Sequence, residues 1–163
     1  MMGMLHPTGG TVMFSNTRIQ ELSPEAMHRK IGFVMQENTL MNASIRENLI
    51  YGKPDASEGE LETVCRKAYI YEFIIGLPDG LDTLIGERGV KLSGGQKQRI
   101  VLARLFLRDV DVFIFDEATS ALDQYSESII HDAIKNIGHG KTIIIAAHRQ
   151  SSLALCDRVI AIT

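Results

Sequence analysis

Apolar positions fall into two alternating kinds of pattern, short dense runs and longer stripes at helical spacing. Thr11–Phe14, Ile31–Met35, Val112–Phe115, Thr142–Ala147 and Arg158–Ile162 are dense runs, and they predict strands. Ser44-Ile45-Arg46-Glu47 and Ser57-Glu58-Gly59-Glu60 fit the capping box, in which serine and glutamate each satisfy a backbone N–H of the other. They predict helices over Ile45–Tyr51 and Glu58–Ala68. A further short helix is expected over Tyr69–Leu77, stopped by Gly76 and Pro78. Ser93 with Gln96 makes a third capping box, and Ile100, Val101, Ala103, Leu105 and Leu107 carry that helix to about Arg108. Helical patterns at Ser126–Asn136 and Gln150–Leu155 alternate with the later strands, which is the α/β signature of a mostly parallel sheet. Strands buried on both faces read as continuous apolar runs, so Thr142–Ala147 and Arg158–Ile162 are both expected inside the sheet.

Composition narrows the class. A chain of 163 residues with 45% apolar and 23% charged content has room for one ordinary globular domain. A net charge of −3 without a Lys/Arg block argues against a nucleic-acid partner. Cys65 and Cys156 lack metal-ligand spacing and read as reduced, packed thiols. No apolar run approaches the roughly 18 residues of a membrane span. His6, His28, His131 and His139 have no companion ligands and read as surface or packing residues. Tyr51, Tyr69, Tyr71 and Phe73 read as helical core or partner-facing surface.

Two segments carry chemistry. In Lys91-Leu92-Ser93-Gly94-Gly95-Gln96-Lys97-Gln98-Arg99, a capped helix start with two glycines leaves backbone N–H groups open to the approach of an anion. In Val112-Phe113-Ile114-Phe115-Asp116-Glu117, a buried strand delivers adjacent carboxylates to the carboxyl edge of a sheet, where open α/β folds bind ligands. Alone, a Gly-Gly pair is commonly a turn, and Asp-Glu after a strand commonly stabilises a helix start.

Joint order and spacing go further. The two segments resemble the signature sequence and Walker B segment of the ATP-binding cassette (ABC) ATPases. Phe33-Val34-Met35-Gln36 is similar to the Q-loop of that family, Ser120-Ala121-Leu122-Asp123 to its D-loop and Ala146-Ala147-His148-Arg149 to its H-loop. Gly86-Glu87-Arg88-Gly89 resembles the loop that distinguishes exporters from importers, and favours an exporter. Met35 stands where the exporter pattern often has proline, and Ser15-Asn16 replaces a frequent Asp-Gly.

The resemblance implies a P-loop NTPase (RecA-like) fold with residues 1–36 and 106–163 as core and 37–105 as an inserted helical subdomain bearing the signature. It implies ATP and Mg²⁺ as cofactors. Asp116 would hold Mg²⁺ through water, Glu117 would polarise the attacking water, His148 would bridge the γ-phosphate and Glu117, and Gln36 would ligate the metal or its water. Ser93, Gly94, Gly95 and Gln96 would meet the γ-phosphate of a nucleotide held by an opposing nucleotide-binding domain in a head-to-tail dimer. Asp123 would cross the dimer seam. Transmembrane transporter domains would complete an exporter, with this chain at the cytoplasmic face of the membrane.

One element of the pattern is missing. The sequence contains no G-x-x-x-x-G-K-[ST] phosphate loop; Gly140-Lys141-Thr142 precedes a strand, and Lys135 stands where the first glycine belongs. Leu5-His6-Pro7-Thr8-Gly9-Gly10-Thr11-Val12 resembles the segment that follows the P-loop helix, so the chain reads as starting after it. A fragment without the P-loop strand and helix is expected to bind ATP poorly alone, and to leave a gap between Thr142–Ala147 and Arg158–Ile162. Two other readings remain: a non-catalytic binding module that lends its signature face to a partner with an intact P-loop, and the engine of a soluble ATPase of the DNA-maintenance kind. The second lacks a coiled-coil arm.

Overall fold

The computed structural model describes residues 9–35, 39–86, 89–119, 122–137 and 140–161. A hairpin comes first: β1 (Met13–Phe14) pairs antiparallel with β2 (Thr17–Arg18), and Ser15 makes the turn with φ of 52°. Helix α1 (Pro24–Lys30) follows, its start set by Ser23, whose hydroxyl accepts from the Ala26 N–H, and by Pro24 in the first turn. Neither β2 nor α1 was expected from the apolar pattern. β2 is two residues long, and α1 has no buried residue to give it a stripe.

The central sheet holds β3 (Ile31–Val34), β4 (Val112–Asp116) and β5 (Thr142–Ala146) in the order β3-β4-β5, all parallel. Between β3 and β4 run α2 (Ile45–Ile50), α3 (Glu58–Lys67), α4 (Tyr71–Ile75) and α5 (Gly94–Phe106). The three expected capping boxes all form, at Ser44/Glu47, Ser57/Glu60 and Ser93/Gln96. α4 is shorter than expected, because Ala68 already caps α3 and Tyr69 turns the chain with φ of 54°. After β4 come α6 (Gln124–Lys135) and, beyond β5, α7 (Gln150–Leu153).

One apolar core joins the layers. Phe113 and Phe115 of β4 and Val34 of β3 share it with Leu49, Leu61, Ile74 and Ile100 from the helices. α5 lies tightly on β3, because Gly32 has no side chain: a Cβ there would come within 2.2 Å of Leu105 Cδ1. Burial raises the Cys65 thiol to about 12, as expected of an inert packed cysteine.

Two expectations fail at the far side of the sheet. Residues 158–161 form no strand, and Val159 and Ile160 are 56% and 70% exposed. β5 is not buried on both faces; among the described residues it pairs with β4 alone, and Ile143 is 36% exposed. The reason is common to both. An apolar run becomes a buried strand only where a neighbour takes its backbone hydrogen bonds, and among the described residues no strand pairs with the outer edge of β5 or with 158–161. No ladder joins the two segments among the described residues.

Candidate functional site

Because the strands run parallel, their carboxyl ends reach one edge of the sheet. Phe115 is in register with Val34 and Asp116 with Ala146, so the chain leaves β4 and β5 side by side. Asp116, the last residue of β4, is exposed at that edge. Among the described residues its carboxylate enters no hydrogen bond or ion pair.

Glu117 turns sharply. Its φ is 46°, in the left-handed region that a glutamate rarely occupies, and its N–H donates to the Ala146 carbonyl at 2.9 Å. This turn brings the side chain across to β5, where Glu117 Oε1 lies 3.0 Å from His148 Nε2. The Glu117 side chain is 27% exposed and that of His148 is 90% exposed, so the pair is covered on the carboxylate side and open on the imidazole side. Behind it, Phe115, Thr119, Ile134 and Ser152 leave a cavity of only about 10 Å³. Access is therefore from the sheet edge.

Gln36, expected at the end of β3, lies outside the described residues, as do Glu87, Arg88, Ser120 and Ala121.

The signature segment forms the start of α5. Ser93 Oγ accepts from the Gln96 N–H at 3.2 Å, and Gln96 Oε1 accepts from the Ser93 N–H at 2.8 Å. Both side chains are thus used within the helix start. The N–H groups of Gly94 and Gly95, at the first two helical positions, have no intrahelical partner, and the first turn carries no acidic residue. Such an end suits an anion.

The two glycines differ. Gly94 is exposed, whereas Gly95 is buried against α6, where a Cβ would lie 2.7 Å from Ser126 Oγ and 2.9 Å from Ser126 Cβ. Its missing side chain therefore lets α5 meet α6. Asp123 is the N-cap of α6: its Oδ1 accepts from the Ser126 N–H at 2.9 Å and its Oδ2 from the Ser126 hydroxyl at 2.7 Å. Those bonds hold its carboxyl below the usual range. The candidate residues so divide into the Asp116–Glu117–His148 edge and the start of α5 with its Asp123–Ser126 support.

Sequence reasoning missed a buried polar cluster beside His148. Glu127 of α6 accepts from Arg149 at 2.6 Å and from the Ser151 hydroxyl at 2.6 Å. Its signal was available, since Glu127 and His131 share a face with Ile130 and Ile134, putting ionisable groups on a buried helical stripe.

Among the described residues no group of three or more His, Cys, Asp or Glu could hold an ion. An uncommitted Asp116 beside Glu117 suits a hard cation that brings most of its ligands as water and phosphate oxygens.

Comparison with known proteins places the chain in a family. Residues 1–120 match the family described as ABC transporter. The chain is 44% identical over 154 residues to the heterocyst differentiation ATP-binding protein HepA of Nostoc sp., covering 94% of this chain and 25% of that protein. It is 42% identical over 154 residues to the ATP-dependent lipid A-core flippase of Chromohalobacter salexigens, covering 94% of this chain and 27% of the flippase. P-glycoprotein 14 of Caenorhabditis elegans is 43% identical over 157 residues, 96% of this chain and 12% of its own. Among solved structures, a bacterial Atm1-family ABC exporter with ATP bound superposes with a TM-score of 0.84 at 36% identity, over 94% of this chain and 27% of that one. The chain thus spans about a quarter or less of the length of these relatives.

Proposed function

Because the chain belongs to the ABC transporter family, we propose that it is part of the nucleotide-binding domain of an ATP-driven exporter, with residues 37–105 as a helical subdomain set into the core. The observation that carries this reading is the Glu117–His148 contact of 3.0 Å at the carboxyl edge of the central strand. Mg·ATP, when bound, supplies the γ-phosphate as electrophile and a cation that neutralises its oxygens.

Asp116 offers an uncommitted carboxylate to that cation, directly or through water. Glu117 accepts the proton of the attacking water, and its left-handed backbone aims the carboxylate along the sheet edge instead of back into the core. His148 holds that carboxylate from one side, and its exposed ring is able to donate to a phosphate oxygen on the other. Gln36, which follows β3 in the sequence, would ligate the metal or its water.

The start of α5 serves a second nucleotide. Its Gly94 and Gly95 N–H groups face an opposing domain that carries an intact phosphate loop, which the present sequence does not contain. On this reading two domains pair head to tail, Asp123 lies near their seam, and membrane-spanning domains deliver the substrate at the cytoplasmic face. A chain acting only through its signature face fits the same helix start, but leaves the Glu117–His148 pair without a purpose.

The test uses a chimera in which this chain replaces the matching segment of the lipid A-core flippase. Glu117→Gln keeps the shape and removes the proton acceptor, a loss on the order of 10²–10⁴ in turnover. ATP binding should persist and ATP-bound dimers should accumulate. Turnover near the parental rate would mean that another group is the base.

A further inference from the structure

His148 is mostly exposed, so what fixes it against Glu117 must come from its neighbours in the chain. The next residue is anchored firmly. Arg149 donates through NH1 to Glu127 Oε2 at 2.6 Å, and through NH1 and NH2 to the Leu122 carbonyl at 3.3 and 3.4 Å. The Ser151 hydroxyl donates to the other carboxylate oxygen, Glu127 Oε1, at 2.6 Å. Both oxygens of one buried carboxylate therefore hold the segment that follows His148. The Glu127 side chain is only 8% exposed.

The same cluster reaches the segment after Glu117. His131 Nε2 lies 3.7 Å from Glu127 Oε1 and 3.3 Å from Ser152 Oγ, and Ser152 Oγ lies 3.5 Å from Thr119 Oγ1. Thr119 is two residues beyond Glu117, and Leu122 directly precedes Asp123. One carboxylate on α6 is thus bonded to the flanks of Asp123 and His148, and lies beside the His131, Ser152 and Thr119 side chains next to the flank of Glu117.

Resting on the function proposed above, we infer that Glu127 is a positioning residue: through Arg149 and Ser151 it sets His148 within hydrogen-bond reach of Glu117. Burial of a charge without gain is costly, and a structural carboxylate could have been replaced by an apolar side chain on this stripe. Here the burial is offset by two short bonds to the very turn that carries the histidine. Loss of the charge removes the Arg149 and Ser151 bonds to α6 and loosens the turn at 148–149, while the apolar contacts of Ile130 and Ile134 keep α6 in place.

The experiment reads the pair itself. In the full chain labelled with ¹³C-histidine, the His148 ring resonance is assigned by its loss in His148→Gln. Glu117→Gln should shift that resonance in the parent. In a Glu127→Gln background the response to Glu117→Gln should fall at least severalfold, as roughly expected when a coupled pair is separated, with helix content unchanged by circular dichroism. If Glu127→Gln does not fold, Ser151→Ala removes one of the two bonds and should reduce the response in part. An undiminished response in a folded variant overturns the inference, and so does the absence of any response in the parent. In the flippase chimera, Glu127→Gln should lower kcat with KM for ATP little changed, because it disturbs the pair and not the phosphate contacts. Should His148 and Glu117 variants leave turnover intact while the resonance coupling depends on Glu127, the hydrolytic reading fails and the positioning role stands.

Discussion

Glycine 95 shows how a residue can serve two purposes that sequence alone does not separate. Its place in the signature suggests an open backbone for phosphate, yet its burial against Ser126 makes it a packing residue between α5 and α6. Added volume here has no simple escape: the Ser126 hydroxyl donates to Asp123 Oδ2, so its side chain does not rotate away without giving up that bond. Gly95→Ala should therefore destabilise the chain by about 1–3 kcal/mol, the usual cost of overpacking. Ser126→Gly in the same molecule should recover most of the loss, because it removes the atoms met at 2.7 and 2.9 Å. Thermal unfolding of the parent, the two single variants and the double variant measures this directly. Equal stability of Gly95→Ala and the parent would show that α5 and α6 can separate, and that the glycine is kept for its ligand face.

Helices were the most legible elements, and the reason is local. A capping box is complete within four residues, so Ser44, Ser57 and Ser93 announced α2, α3 and α5 without reference to anything distant. The carboxylates at the end of β4 were legible for a similar reason, because a dense apolar run that stops in Asp116-Glu117 needs only a parallel neighbour on each side, and β3 and β5 provide it. What failed depended on distant partners. The strand expected at Arg158–Ile162 required a neighbour that no sequence pattern can supply, and the backbone turn at Glu117 is visible only in its φ of 46°. α6 lies between these cases: its apolar stripe was readable, but its cap at Asp123 and the purpose of Glu127 and His131 on that stripe were not. Their titration gives a prediction at this scale. Burial pushes His131 below its ordinary value of 6.5, against the pull of Glu127 and Asp132 and with some help from Lys135 and Arg149. A histidine that is harder to protonate when folded binds more protons unfolded, so stability should fall as pH drops through 6.5 toward the folded value. For Glu127, burial acts to raise the carboxyl and the bonds from Ser151 and Arg149 outweigh it, leaving the group below 4.5. Its contribution is present above 4.5 and is lost at lower pH, together with those of Glu47 and Glu60. Urea unfolding across this range should show His131→Gln flattening the upper part of the decline while the lower part remains. An unchanged slope just below pH 6.5 would remove His131 from the account.

At the scale of the whole molecule the sheet has one well-covered side and one open flank. β4 is central and its Phe115 is fully buried, whereas among the described residues β5 pairs on one side only and the apolar Val159 and Ile160 are exposed. On the face beneath the β1–β2 hairpin, residues including Phe14, Ile19, Val112, Ile114 and Ile144 line a groove of about 1220 Å³. An unpaired strand edge next to apolar surface is a template for another chain. The net charge of −3 is small, so repulsion between copies offers little protection. No helix among the described residues is long and apolar enough to cross a membrane, so this surface is not explained by a span. The chain should therefore self-associate in solution, with the fraction of larger species rising with concentration in light scattering behind a sizing column. Ile143→Lys places a charge on β5 at a position that is 36% exposed although in register with Phe113, and should shift the population toward monomer. In the flippase chimera the same substitution should instead impair folding, because there the edge of β5 is expected to be covered. A monodisperse monomer of the unmodified chain at high micromolar concentration would show that β5 and residues 158–161 are sealed by something other than a second strand edge.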